Sequence, residues 1–197
     1  MVIERAEFIK SVVDPAAAKL PFLPEIALVG RSNVGKSSLI NTLTGRNKLA
    51  KVGSTPGKTR QVNYFLLNES FYLVDLPGYG YAKVSHEEKA GWEKMIEGYL
   101  TYSVEEKRLR HLFLLLDIRH EPKDSDLQMA YWAEHYAVPC TIIATKADKI
   151  NRSQRGIAAG KLSNALRMTF PVPVIPFSSL DGEGRKLLLT RLGEINI

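Results

Sequence analysis

The sequence predicts a three-layer α/β domain built on a mostly parallel sheet with one antiparallel edge. Three observations predict it. Apolar runs of strand length recur along the 197 residues. Helix-length segments separate most of them, and one pair is joined by a turn too short for a crossover.

Residues 1–24 carry Pro15, Pro21 and Pro24 and read as an extended arm. The first run, EIALVG (25–30), leads into the helix pattern KSSLINTL. VNYFLLN (62–68) and FYLVDL (71–76) are parted only by Glu69 and Ser70, which predicts a hairpin and hence the antiparallel edge. EEKAGWEKMIEGYL places Trp92, Met95, Ile96 and Tyr99 on one helical face, a spacing that serves core packing. HLFLLLDI (111–118) and CTIIATK (140–146) flank the helix pattern DLQMAYWAEHY. GIAAGKLSNALRM then leads to a weaker sixth run, VIPFS (174–178), and GRKLLLTRLGEI closes the chain. Connections that carry helices imply parallel pairing. Three runs end in Asp75, Asp117 or Lys146, at the edge where open α/β sheets take their ligands. The expected organisation is an extension over 1–24 and one domain over 25–197.

Composition narrows the class. Apolar residues make up 45% and charged residues 24%, the balance of a globular domain. The single Cys140 excludes an internal disulfide and opens an apolar run, which predicts a buried thiol. MVIERAEFIK lacks the apolar core of a signal peptide, and no apolar stretch is long enough to span a bilayer, so a cytoplasmic location is expected. The net charge of +6, with clusters at Arg46, Lys48, Lys51, Lys58 and Arg60, at Lys107, Arg108 and Arg110, and at Arg152, Arg155, Lys161 and Arg167, is compatible with a polyanionic partner or with a solvated basic surface.

The chemistry begins at Gly30-Arg31-Ser32-Asn33-Val34-Gly35-Lys36-Ser37, which fits G-x-x-x-x-G-K-[ST] between a strand and a helix. Glycines let successive N–H groups face phosphate oxygens, and the helix N-terminus adds its positive end. Lys36 is expected to reach the β- and γ-phosphates and the Ser37 hydroxyl to ligate Mg²⁺. Thr145-Lys146-Ala147-Asp148 selects the base. A carboxylate at Asp148 can accept from two guanine donors that adenine lacks, while the stem of Lys146 covers the ring. Ser178 and Ser179 follow the last strand, where a backbone N–H can meet the guanine oxygen. Asp75 is placed to hold Mg²⁺ through water, and the Gly78 N–H to meet the γ-phosphate. Within VGSTPGKTRQ a threonine is expected to close over Mg²⁺, with Thr59 preferred to Thr55 because it lies nearer the next strand.

Taken together, GRSNVGKSSLIN, STPGKT, DLPGYGYAKV and IATKADK resemble the EngB family, small bacterial GTPases within the TrmE/Era-like group of P-loop GTPases. The similarity runs from about residue 6 to residue 180. It implies a six-stranded GTP-binding domain with an added N-terminal strand, a part in large-ribosomal-subunit assembly with rRNA and ribosomal proteins as partners, a monomer, and a link to cell division and septation. The residues expected to line GTP or GDP are Gly30 to Ser37, Gly57, Lys58, Thr59, Asp75, Leu76, Pro77, Gly78, Thr145, Lys146, Asp148, Ser178 and Ser179. Lys36, Thr59 and Gly78 are the expected catalytic contacts, and Ser37, Thr59 and Asp75 the metal ligands.

Two departures matter. Position 145 carries threonine where asparagine is usual, which keeps a hydroxyl able to bond neighbouring loops. Position 79 carries tyrosine where many GTPases place the glutamine that orients water, so a slow intrinsic rate is expected. Tyr79 and Tyr81 are candidates to change exposure between nucleotide states. Asn33 has two readings: beside the phosphates it can support a K⁺ ion, and it is equally a good turn residue. Hydrolysis can be the output, or it can only time release of a nucleotide-gated ribosome-binding module. A small-molecule kinase on the same loop is disfavoured, because the chain shows no lid segment and TKAD has no purpose there.

Overall fold

The computed structural model describes residues 1–51, 61–80, 86–166, 168–169 and 172–197, with 86–90, 92 and 93 described by their backbone alone. The strands are β1 (Ala6–Val12), β2 (Glu25–Gly30), β3 (Val62–Leu67), β4 (Phe71–Asp75), β5 (Leu109–Asp117), β6 (Cys140–Thr145) and β7 (Val174–Pro176). The helices are α1 (Lys36–Thr44), α2 (His86–Glu105), α3 (Asp124–His135), α4 (Arg152–Ala165) and α5 (Arg185–Glu194).

One seven-stranded sheet runs in the order β1-β3-β4-β2-β5-β6-β7. The strands from β4 through β2, β5 and β6 to β7 are parallel. β3 runs antiparallel to both β4 and β1. β2 and β5 are central, and β2 is buried along its whole length, which explains why its sequence is a continuous rather than an alternating apolar run. Alternate residues of the central strands feed two cores. Ala27, Val29, Leu112 and Leu114 pack with Ile96, Tyr99 and Leu100 of α2, Ala130 and Ala133 of α3, and Leu162 of α4. Ile26, Leu28, Phe113 and Leu115 pack with Leu39, Ile40 and Leu43 of α1 and Leu188 and Leu192 of α5. Cys140 is buried at the head of β6.

The arm read from the prolines contains a paired strand. β1 lies on β3 from Ala6↔Leu67 to Val12↔Val62, covering an edge that would otherwise present open hydrogen-bonding groups. Asn68 at the β3–β4 turn binds the entry to β1: its side-chain oxygen accepts from Glu4 N–H (2.9 Å) and Arg5 N–H (3.2 Å). The end of the arm is tied down by Arg108, which donates to Pro21 O at 2.8 Å.

β5 begins two residues before the apolar run suggested, and the cause is a buried ion pair. Arg108 Nε donates to Glu25 Oε1 at 2.6 Å. Glu25 Oε2 accepts from the Tyr99 hydroxyl at 2.7 Å and the Ser103 hydroxyl at 3.2 Å. Glu25 is 1% exposed, a position a carboxylate tolerates only with such partners. β6 stops one residue early because Lys146 takes the left-handed conformation (φ 59°), which turns the chain out of the sheet.

Candidate functional site

The phosphate loop occupies the turn from β2 into α1. Gly35 adopts φ 113°, a conformation that strongly favours glycine, and α1 starts at the next residue, so its unpaired N–H groups lie at the mouth of the loop. Asn33 also has positive φ, 61°, as suits an asparagine in a turn. Val34 is buried in the core and anchors the loop from below. Thr145 anchors it from the side. Its hydroxyl lies 2.7 Å from Val34 O and 3.0 Å from Leu116 O, tying the TKAD segment to the phosphate loop and to β5. The hydroxyl kept in place of an asparagine amide therefore bonds a neighbouring loop.

β4 delivers Asp75 to the same edge. Lys36 Nζ stands 3.9 Å from Asp75 Oδ1, and both side chains are about nine-tenths buried. Burial pulls the Lys36 ammonium below its usual range and pushes the Asp75 carboxyl above its own, while each charge partly offsets the effect on the other. Among the described residues Asp75 Oδ1 has no hydrogen-bond partner. A buried carboxylate oxygen left without a donor is suited to a cation or a bound water, and Ser37, on the first turn of α1, adds a hydroxyl. Among the described residues no group of three or more acidic, histidine or cysteine side chains could hold a metal unaided. Asp75 and Ser37 therefore fit a divalent ion that takes its other ligands from phosphate oxygens and water.

Leu76 and Pro77 are buried. Leu76 packs into the core and donates its N–H to Leu28 O at 3.1 Å, so it can border the site only by its backbone. Gly78 lies against the phosphate loop. A Cβ there would stand 2.8 Å from Ser32 Cα and 3.3 Å from Lys36 Nζ, so any side chain would push the loop away. Gly57, Lys58, Thr59 and the alternative Thr55 lie outside the described residues, as does Tyr81.

The TKAD segment, expected to read the base, follows β6. Asp148 is half-buried; partial burial pushes its carboxyl up, but hydrogen bonds from Lys149 and Ser178 prevail and hold it below the usual carboxylate range. It thus stays an acceptor. Lys146 Nζ lies 3.0 Å from Asp117 Oδ2. Arg119 grips the same carboxylate with two donors, Nε at 2.9 Å and Nη2 at 2.7 Å. Burial raises the Asp117 carboxyl, yet these two cations overcome it and leave Asp117 well below the ordinary range. Ser178 is fully buried and spends its N–H on Glu183 O at 3.1 Å. Its hydroxyl oxygen accepts from Leu180 N–H at 3.2 Å. Ser179 is exposed, and among the described residues its N–H is the one of the pair without a backbone partner.

These segments meet at the carboxyl ends of the parallel strands, where the phosphate loop and the acidic TKAD segment face one edge. Asp117 is the residue that sequence reasoning placed at this edge without giving it a task. Its partner Arg119 carried no sequence signal, because only the fold shows that it folds back on its own strand end.

Comparisons with known proteins bear on the family and the fold. The profile described as 50S ribosome-binding GTPase matches residues 25–146. The probable GTP-binding protein EngB of Syntrophomonas wolfei is 48% identical over 195 residues, covering 98% of this chain and 97% of that protein. A crystal structure of a probable GTP-binding protein EngB aligns with a TM-score of 0.68 at 24% identity, over 86% of this chain and 97% of that one. NFeoB from S. thermophilus, solved with GDP, AlF4⁻ and K⁺, aligns with a TM-score of 0.57 at 25% identity, over 88% of this chain and 62% of that one. Fold and family together define a P-loop GTPase, a protein that binds guanine nucleotide and hydrolyses GTP. Within that class the chain belongs to the EngB family of GTP-binding proteins. No helix among the described residues is long and apolar enough to cross a membrane.

Proposed function

We propose that this chain is a slow, Mg²⁺-dependent GTPase switch acting on the large ribosomal subunit during its assembly, and through that role in cell division and septation. It is read as a monomer acting in the cytoplasm, with residues 25–197 as the GTP-binding domain and 1–24 as its extension. The observation that carries the nucleotide part is the Thr145 hydroxyl bonded to Val34 O. It makes the phosphate cradle and the guanine reader one rigid unit rather than two separate loops. Lys36 and the N–H groups of Gly30 to Ser37 hold the phosphates, Asp148 accepts from the guanine edge, Lys146 covers the ring, and Ser179 donates from its backbone. Ser37 and Asp75 would hold Mg²⁺, with Thr59 joining them. The ion supplies charge neutralisation for the phosphates when bound. Gly78 offers its N–H to the γ-phosphate.

The ribosomal part rests on the description of the matching family and on the basic surface. Asn33 beside the phosphates, together with the K⁺ reported in the NFeoB structure, supports a K⁺ site here as well, although its φ of 61° already accounts for asparagine at that turn. The basic clusters support the second reading, in which hydrolysis only times release from the ribosome, and Tyr79 in place of glutamine fits a slow intrinsic rate. The deciding experiment titrates GTP, GDP and ATP against the protein, and against Asp148→Asn with xanthine nucleotides. ATP competing as well as GTP would sink the guanine reading. A rise in GTP turnover on adding large ribosomal subunits would favour the turnover role over the timer.

A further inference from the structure

The side chain that follows Gly78 reaches toward α3. Tyr79 is 5% exposed. Its N–H donates to Gly30 O at 3.3 Å and its carbonyl accepts from Ser32 N–H at 2.9 Å, so its backbone is laced to the phosphate loop on both sides. Arg31 and Tyr79 form a parallel bridge, a short continuation of the sheet beyond β2. The Tyr79 hydroxyl donates to Asp126 Oδ1 at 2.8 Å. The other oxygen of Asp126, Oδ2, accepts from Lys123 N–H at 2.8 Å, at the start of α3. Asp126 is 3% exposed. One buried carboxylate therefore serves two elements, and releasing the tyrosine would strand one of its oxygens in the core.

This arrangement bears on Gly78, which has Tyr79 as its neighbour and Ser32 packed against it. A tyrosine anchored at three points, two in its backbone and one in its hydroxyl, leaves the preceding peptide little freedom. The glutamine of other GTPases acts on water directly. Tyr79 cannot, since its hydroxyl is already engaged 47 residues away in sequence on α3.

We propose that Tyr79 is a positioning residue for GTP hydrolysis: the strap from the phosphate loop through Tyr79 to Asp126 holds the Gly78 N–H where the γ-phosphate arrives. The proposal rests on the reading that Gly78 meets the γ-phosphate. GDP has no such group, so loosening the strap should slow hydrolysis and spare GDP binding.

Tyr79→Phe removes only the hydroxyl, and Asp126→Asn alters the other end. Single-turnover hydrolysis, the dissociation constants of GDP and of a non-hydrolysable GTP analogue, and a thermal melt are measured for each variant, for the double variant and for Gly78→Ala. Each single variant of the strap is expected to hydrolyse GTP about tenfold more slowly while binding GDP within about twofold of the parent, since small misplacements of a catalytic contact cost rate steeply. The double variant should be no slower than the slower single variant, because both substitutions act on the Tyr79–Asp126 bond, and the bond from Lys123 N–H that Asp126→Asn also disturbs is followed in the thermal melt. A folded Tyr79→Phe with unchanged hydrolysis overturns the proposal, as does a loss of GDP affinity as large as the loss of rate, or additive losses in the double variant. Should Tyr79→Phe fail to fold, Asp126→Asn is judged by the same comparison of rate with GDP binding. Gly78→Ala should weaken the GTP analogue relative to GDP. An unchanged ratio there overturns the reading of Gly78 and the proposal with it, whereas a changed ratio beside normal hydrolysis in Tyr79→Phe overturns the proposal alone.

Discussion

Replacing Asp148 by asparagine exchanges one acceptor oxygen for a donor at the proposed guanine edge. GTP affinity should fall by about 100-fold or more and xanthine nucleotide should be gained, since a site built on paired hydrogen bonds rejects the ligand that leaves them unmade. Competition titration reads both changes. Asp117 has a different task. Its carboxylate holds Lys146 at 3.0 Å, and the expected task is to position that lysine. Asp117→Ala should therefore weaken GTP and GDP together, by about tenfold, with the ratio of guanine to xanthine affinity unchanged; a shifted ratio would place Asp117 on the base. Thr145→Val keeps the shape of the side chain and removes the hydroxyl between Val34 O and Leu116 O. It should cost about 1–3 kcal/mol, the range for buried groups left without a partner, measured by urea unfolding.

At the scale of elements, β5 carries a titratable group in its interior. His111 is 1% exposed, faces the Thr141 hydroxyl on β6 at 2.9 Å, and lies near Arg191 of α5. Burial, and then the charge of Arg191, lower the His111 imidazolium to about 4. The unfolded chain binds this proton near pH 6.5 and the folded chain does not, so stability is full above pH 6.5 and is lost as the pH falls through about 4. Between pH 7 and pH 4.5 the parent should lose about 2–3 kcal/mol more than His111→Gln, seen as the difference between their denaturation midpoints at the two pH values. The same end of β2 and β5 holds the Glu25–Arg108 pair, with Ile26 of β2 in register with His111. Arg108→Ala leaves Glu25 with its two hydroxyl donors and no cation, and should cost about 3–5 kcal/mol. It should also loosen the arm, because Pro21 O loses its donor and Phe22 its guanidinium, 5.5 Å from the ring centroid. Limited proteolysis within residues 13–24 would register that second effect.

For the molecule as a whole, the +6 charge acts at a distance. If basic side chains contact rRNA phosphates, association with large ribosomal subunits should weaken steeply between about 50 and 200 mM salt, with a log–log slope set by the number of phosphates neutralised. A flat salt dependence would assign the contact to protein instead. The sheet reaches its full width only because β1 covers β3, so the arm contributes to the solubility of the fold as well as to its extent.

Short-range physics decided what could be read without coordinates. The strand runs, the β3–β4 hairpin, the phosphate loop and the TKAD segment each depend on residues within a dozen positions of one another, where apolar spacing, glycine and turn chemistry act directly. The order of the strands and the pairing of β1 with β3 depend on contacts across the whole chain. So do the partners of buried polar groups: Thr145 with Val34 is separated by 111 residues, Glu25 with Arg108 by 83, and Tyr79 with Asp126 by 47. The sequence by itself determined that this protein carries a phosphate-loop motif and a TKAD segment on an α/β sheet, and so its family. Only the tertiary structure decided that Tyr79 faces α3, that Asp117 holds Lys146, and that the two loops share a hydroxyl. A desolvated donor or acceptor must bond with whatever the packed fold brings within about 3 Å, and no spacing along the chain specifies that neighbour.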